Sequence, residues 1–148
     1  MLTAEMKKLI TDHTAGMVAT VNDDMTPSVS PKATFVILDE THIAFANIRS
    51  PGTLANIRKR PQVEICFIDV LTRQAVRVTG TAEIIKKPEA DDQLAAAFEE
   101  NWAQYLDSVS AFVTITISAA EYILSPAYDF GQTEDELRMF NLAKLKAL

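Results

Sequence analysis

The five residues Arg49, Ser50, Pro51, Gly52 and Thr53 are of the types that can hold a phosphate group. A helix that begins at Pro51 leaves unpaired backbone N–H groups in its first turn, and Gly52 has no side chain to block an anion there. The hydroxyls of Ser50 and Thr53 can donate hydrogen bonds, and Arg49 adds positive charge. The alternative is an ordinary helix with Ser50 as its N-cap and a solvated arginine, and the segment taken alone is more typical of that alternative.

A second candidate is the run of small and polar residues at 28–34, SVSPKAT. Small side chains would let a flat ring approach the backbone, and Lys32 can pair with phosphate or with electron-rich atoms of a heterocycle. The alternative is an edge strand with a solvated lysine, because Pro27 and Pro31 have no N–H for one side of a ladder. In isolation this alternative is the more common one.

The third candidate is the run at 73–80, RQAVRVTG. Gln74 can hydrogen-bond a ligand ring, and Arg77 lies on the polar face of an alternating segment. The alternative is the start of a hairpin with an exposed arginine, which is again favoured when the run is considered by itself.

The sequence gives little support for a metal site or for a nucleophilic active site. His13 and His42 are the only histidines, and neither has metal-ligand spacing to Cys66 or to a carboxylate cluster. No glycine-rich phosphate loop, dinucleotide motif or nucleophile elbow is present. We therefore predict no metal site, and the catalytic residues stay unassigned.

Composition narrows the classes of partner. The 148 residues carry a net charge of −6, which argues against nucleic acid as a partner. No apolar run approaches the roughly 20 residues that span a bilayer, and the first residues lack the layout of a signal peptide. The single cysteine cannot form an internal disulfide. We expect a single domain over 1–148, located in the cytoplasm and away from membranes.

The expected elements alternate in a way that favours an antiparallel sheet with flanking helices. Short, hairpin-like connections join most of the strands, unlike the long crossovers of a parallel sheet. The run at 63–70 is expected to be a buried strand. Strands are predicted at 17–21, 28–38, 42–48, 63–70, 74–85 and 112–117, and helices after Thr3, after Ser50, over 89–106 and over about 133–147.

The helix predicted over 89–106 carries an apolar stripe. Leu94, Phe98 and Trp102 follow one another at i, i+4 spacing, which places them on one face. Such a stripe is more typical of core packing than of a platform for a ligand. We therefore expect Trp102 to be a core residue.

Taken in order, these segments resemble the FMN-binding split barrels related to pyridoxamine 5'-phosphate oxidase. Each piece is weak alone, and their order and spacing over about residues 12 to 120 carry the likeness. The matching pieces are 16–24, 27–32, 43–47, 50–53, 56–63 and 76–83. The resemblance implies a mainly β protein, an antiparallel split β-barrel, that forms a homodimer with FMN sites at the interface.

The resemblance also implies which residues contact FMN. In this family the second strand lies along the flavin ring, the third strand ends beside it, and the next turn holds the phosphate. A family glutamine that reaches the flavin corresponds approximately to Gln74. The implied cofactor residues are Ser30, Pro31, Lys32, Ala33, Ala46, Asn47, Arg49, Ser50, Thr53 and Gln74.

The family suggests a flavin-dependent oxidoreductase or flavin reductase that acts on a small-molecule substrate or electron donor. The run at 128–132 lacks the basic and histidine residues that bind the oxidase's own substrate, so vitamin B6 oxidation is not expected. The alternatives are an FMN store, carrier or redox sensor without turnover, a relative that binds haem or a deazaflavin, and a purely structural dimer.

Overall fold

The computed structural model describes residues 1–148, which form a seven-stranded antiparallel sheet with four flanking α-helices. The strands are β1 (Gly16–Val21), β2 (Pro27–Lys32), β3 (Phe35–Ile37), β4 (His42–Asn47), β5 (Gln62–Asp69), β6 (Gln74–Lys86) and β7 (Ala111–Leu124). The helices are α1 (Ala4–Asp12), α2 (Pro51–Lys59), α3 (Asp92–Trp102) and α4 (Glu134–Lys146). The strand order is β2-β1-β5-β6-β7-β4-β3, with every neighbouring pair antiparallel, which confirms the predicted architecture.

The sheet curls around one apolar cluster and lies against a second. The larger cluster draws side chains from α1, α2 and six of the strands, and the smaller one lies beneath α3. Strand β4 serves both, because successive side chains of a strand point to opposite faces. Its Ile43 and Phe45 enter the larger cluster, whereas Ala44 and Ala46 enter the smaller one.

The predicted strand over 28–38 is two strands in the structure. It breaks at Ala33 and Thr34, where the Thr34 hydroxyl replaces ladder bonds. Thr34 Oγ1 donates to the Ala46 carbonyl at 3.2 Å and accepts from the Ala46 N–H at 3.1 Å. The first part, β2, pairs only with β1 and is therefore the edge strand that its prolines predicted.

Strand β5 is buried on its inner face, as predicted, whereas its outer face is partly exposed in a single chain. Ile65 and Phe67 point into the larger cluster, whereas Cys66 is half-buried and Ile68 is 40% exposed on the outer face. No helix covers this outer face in a single chain. Burial raises the pKa of the Cys66 thiol, as expected for a thiol with little tendency to ionise.

Strand β6 bends against β7 at Gly80. The pairing register shifts between Thr79 and Gly80, which marks a β-bulge, and bulges increase the local bend of a sheet. A Cβ atom at Gly80 would lie 2.5 Å from the Thr116 carbonyl oxygen and 2.6 Å from Ile115 Cγ2. Only glycine allows this close approach. Beyond the bend, β7 continues to Leu124, past the predicted end at residue 117.

The helices begin much as predicted. Thr3 caps α1, and Thr133 with Glu136 forms the predicted capping box of α4. Helix α3 is shorter than the predicted 89–106, because it ends at Trp102 and passes into a 3₁₀ turn, Ala103–Ser108. None of the helices has the length and apolar character needed to cross a lipid bilayer.

Candidate cofactor site

A cavity of about 700 Å³ opens where β2, β4, the turn before α2 and the segment after α3 meet. Its volume lies in the range of about 300–1,000 Å³ that is usual for small-molecule sites. Six of the ten sequence-predicted cofactor residues line it, namely Pro31, Lys32, Ala33, Ala46, Arg49 and Ser50. The remaining lining residues are Thr34, Ile48, Trp102, Tyr105 and Ser108.

The strand break at Ala33 and Thr34 builds the cavity wall. The two hydrogen bonds between Thr34 and Ala46 hold the end of β2 against the end of β4. Both Ala33 and Ala46 have minimal side chains and both line the cavity. The cavity wall therefore leaves the backbone accessible at these two positions.

Ser30 and Thr53 form a hydrogen-bonded chain with Lys32 at the edge of this cavity. Lys32 Nζ donates to Ser30 Oγ at 2.7 Å, and Ser30 Oγ lies 3.1 Å from Thr53 Oγ1. This chain fastens β2 to the first turn of α2. Partial burial lowers the pKa of the Lys32 ammonium, because removing water disfavours the charged form.

The start of α2 is open to a ligand. Pro51 takes the first helical position, as predicted, but Ser50 makes no side-chain capping bond, so its expected capping role is not observed. No atom lies within 4 Å of a Cβ built at Gly52. The unpaired N–H groups and the positive end of the helix dipole therefore face open space beside the exposed Arg49, an arrangement that favours an anion.

Asn47 points away from this cavity. It follows Ala46 on β4, so its side chain leaves the strand on the opposite face. Asn47 Nδ2 donates to Ser110 Oγ at 3.0 Å, while the buried Oδ1 has no partner. Its side chain lines another cavity of about 690 Å³, against Leu54 and Ile57 of α2.

Gln74 also lies outside the first cavity. Its Nε2 donates to Tyr128 Oη at 3.1 Å, and its Oε1 accepts from Tyr122 Oη at 2.6 Å. It lines a polar cavity of about 480 Å³ that includes His13 and Glu134. Within one chain Gln74 is separate from the other predicted residues, so a contact with the same cofactor requires a second chain.

Sequence reasoning missed the aromatic part of the cavity. Leu94 and Phe98 are buried as expected, and Trp102 packs against the same apolar cluster, but it is only half-buried and also lines the cavity. Tyr105, three residues further on, lines it as well. The only signal in the sequence was this aromatic pair at the end of the apolar stripe.

The curled antiparallel sheet, its flanking helices and the cavity at the ends of β2 and β4 define a split β-barrel. Residues 2–124 match the family model described as pyridoxamine 5'-phosphate oxidase. The chain belongs to this family, as the resemblance indicated. Helix α4 lies beyond the matched residues.

Solved structures show the same fold. HupZ of Group A Streptococcus is 29% identical with a TM-score of 0.72, over 84% of this chain and 96% of that one. An FMN-binding protein from Syntrophomonas wolfei is 12% identical with a TM-score of 0.65, over 80% and 84% of the two chains. An F420 reductase is 22% identical with a TM-score of 0.56, over 72% and 88%. No curated protein sequence matches this chain.

Proposed function

We propose that this chain binds FMN in the cavity between β2, β4 and α2 and acts as a flavin-dependent oxidoreductase or flavin reductase. The observation that carries the proposal is the Lys32–Ser30–Thr53 chain. It joins a cavity with a flat, small-residue wall to an open helix start that favours an anion. A phosphorylated planar ring has both of these chemical features.

The residues fit FMN in two parts. The small side chains of Ala33 and Ala46 make room for the flavin ring. The hydroxyls of Ser50 and Thr53 and the N–H groups of the first turn of α2 hold the phosphate. Lys32 and Arg49 balance its negative charge, since no basic residue follows Ser50 in the first turn of α2.

When bound, FMN supplies hydride or electron chemistry, and the chain's own residues bind and orient it. The Lys32 ammonium holds negative charge on the ligand. No side chain in the cavity is an evident acid or base for the reaction, so substrate choice depends on the shape that the remaining space takes.

We also propose that the protein is a homodimer. A patch on the outer face of β2, β1 and β5 is apolar and uncovered, with Met17, Val29 and Ile68 exposed by 45%, 62% and 40%. They lie on adjacent strands, because Met17 pairs with Cys66 and Ala19 pairs with Val29. A second copy seated on this face would cover it.

Titration of the purified protein with FMN, followed by absorbance, tests the proposal. We expect a perturbed flavin spectrum that saturates at one FMN per chain. Parallel titrations with F420 and with haem test the alternative ligands, since the same fold serves an F420 reductase. A protein that leaves the FMN spectrum unchanged would contradict the proposal.

Turnover is tested on the FMN complex. We expect NADH or NADPH to reduce the bound flavin and an added acceptor to reoxidise it. A complex that binds FMN tightly, yet is not reduced by either donor, supports instead a store, carrier or redox sensor.

A further inference from the structure

We propose that Trp102 and Tyr105 form an aromatic wall that stacks on the ring of the bound cofactor. This inference rests on the proposed function and adds a ring-binding element from the segment between β6 and β7. Both side chains line the cavity that also contains Lys32 and Arg49. On this side of the cavity, the aromatic wall would therefore recognise a planar conjugated ring of the ligand.

The indole of Trp102 is held in one orientation. Its Nε1 donates to the Phe35 carbonyl oxygen at 3.1 Å, where β3 begins. The polar edge of the ring is therefore satisfied within the protein, while part of the ring remains exposed to the cavity. An aromatic ring fixed in this way can offer a face to a ligand without losing a hydrogen bond.

Tyr105 belongs to neither of the two apolar clusters. Its side chain is 45% exposed, and its hydroxyl makes no hydrogen bond within the chain. Its ring centroid lies 6.1 Å from that of Trp102, at an interplanar angle of 34°. The two rings thus extend one apolar surface from the end of α3 along the cavity.

The backbone around Tyr105 is held in place by its neighbours in the 3₁₀ turn. Leu106, its neighbour in the 3₁₀ turn, packs against the smaller apolar cluster, and its carbonyl accepts a hydrogen bond from Lys87 Nζ. Val109, just after the turn, is buried. Tyr105 is therefore presented on a fixed support rather than on a loose loop.

The cavity as a whole combines this wall with a positive corner. Lys32, Arg49 and Ser50 suit a phosphate, whereas the aromatic pair suits the flat face of a ring. Aromatic pairs prefer offset or edge-to-face contacts, and these add to the area that they bury. The two parts together match a phosphorylated heteroaromatic ring.

Intrinsic fluorescence tests whether the flavin binds near the wall, because Trp102 is the only tryptophan of the chain, and the Tyr105 variants below test the stacking itself. We expect FMN to quench this fluorescence with the same saturation curve as the change in flavin absorbance. Riboflavin, which has the ring without the phosphate, should quench as well. Inorganic phosphate should leave the fluorescence unchanged.

Substitutions at Tyr105 distinguish the contribution of the aromatic wall to binding from that of the rest of the site. Tyr105→Leu should weaken FMN and riboflavin binding alike, by about threefold to tenfold, whereas Tyr105→Phe should bind as the wild type does. Phe130→Leu is a matched control, because Phe130 is exposed and lines none of the cavities described above. Circular dichroism checks that each variant is folded.

The outcomes distinguish this inference from the proposed function. If FMN binds by absorbance but Trp102 fluorescence does not change and Tyr105→Leu binds normally, the wall is wrong and the FMN site stands. If neither signal changes on FMN addition, both proposals fail. Quenching together with a selective loss in Tyr105→Leu supports the wall.

Discussion

The hydroxyls of Ser30 and Thr53 lie 3.1 Å apart, although 23 residues separate them in the chain. The contact joins edge strand β2 to the first turn of α2, and Lys32 donates to the same Ser30 oxygen. The ring side and the phosphate side of the candidate site therefore share one set of hydrogen bonds. A substitution at either end should therefore change the affinity for a ligand that spans both sides of the site.

Replacing Thr53 by valine removes the hydroxyl and keeps the shape of the side chain. We expect Thr53→Val to weaken FMN binding by about 1–2 kcal/mol, the usual loss for a hydrogen bond. Riboflavin binding should change little, since the lost hydroxyl serves the phosphate. Isothermal titration calorimetry measures both ligands, with Thr53→Ser as the control that retains the hydroxyl. Equal losses for FMN and riboflavin would contradict the assignment.

FMN binding should weaken at alkaline pH because of Lys32. Burial lowers the pKa of this ammonium below 10.5, so its charge is lost earlier than that of an ordinary lysine as pH rises. The neutral amine no longer attracts the phosphate. We expect Lys32→Arg to move the decline to higher pH and Lys32→Met to bind weakly throughout. A decline of the same size at the same pH in all three proteins would exclude Lys32 as its cause.

Two glycine substitutions should have opposite effects. Gly80→Ala should destabilise the fold by about 1–3 kcal/mol, because its Cβ would lie 2.5 Å from the Thr116 carbonyl. Gly52→Ala meets no atom within 4 Å and should stabilise α2 by about 0.5–1 kcal/mol. The new methyl group would, however, occupy the space of the phosphate. Urea denaturation and FMN titration of both variants measure the two effects, and unchanged FMN affinity in Gly52→Ala would place the phosphate elsewhere.

Asp69 should make stability depend on acid pH. Burial alone would raise its pKa, but hydrogen bonds from Thr72 and Leu71 outweigh burial and hold the pKa below 3.8. Because the folded pKa is lowered, this stabilisation is present above about pH 4 and is lost as pH falls through the folded pKa.

Replacing Asp69 by asparagine tests this linkage. We expect Asp69→Asn to cost about 1–3 kcal/mol at neutral pH, because an amide nitrogen, which cannot accept, would replace the oxygen that accepts from the Thr72 hydroxyl. The difference from wild type should shrink at about pH 3, as measured by urea denaturation at both pH values. Asp129→Asn, at an exposed position without a side-chain hydrogen bond, is the control and should differ little from wild type.

A charge on the outer face of the sheet should separate the dimer. Met17 is 45% exposed and lies between β2 and β5, in the centre of the uncovered apolar face. We expect Met17→Glu to be monomeric by size-exclusion chromatography with light scattering, whereas the wild type is dimeric. Met139→Glu, on the exposed face of α4, is the control. A monomeric wild type would contradict the proposed assembly.

Much of the fold could be predicted because local chemistry determines it. The caps at Thr3 and Thr133 and the alternation of β6 depend on near neighbours in the chain. The outer face of β5 could not be predicted, since an apolar run does not tell which of its faces another element covers. The break within 28–38 was missed because it depends on a bond between Thr34 and Ala46, twelve residues apart.

The candidate site was predicted only in part, because local runs of residues reveal some of its members and not how the fold brings them together. Contiguous runs revealed Lys32 and Ser50, and the family resemblance joined them. The resemblance pointed to the end of β4 and so implied both Ala46 and Asn47, which a strand must place on opposite faces. Helical spacing predicted that Trp102 packs against the core, but it could not show that the ring extends past the core and lines the cavity.

The strand that ends at the cavity is packed from both sides by different cores. Ile43 and Phe45 support it from within the sheet, and Ala44 and Ala46 support it from beneath α3. Loosening of either core would remove half of the packing that keeps β4 in place. The ligand pocket should consequently have no independent melting event: it persists as long as the whole molecule stays folded and disappears in the same cooperative transition.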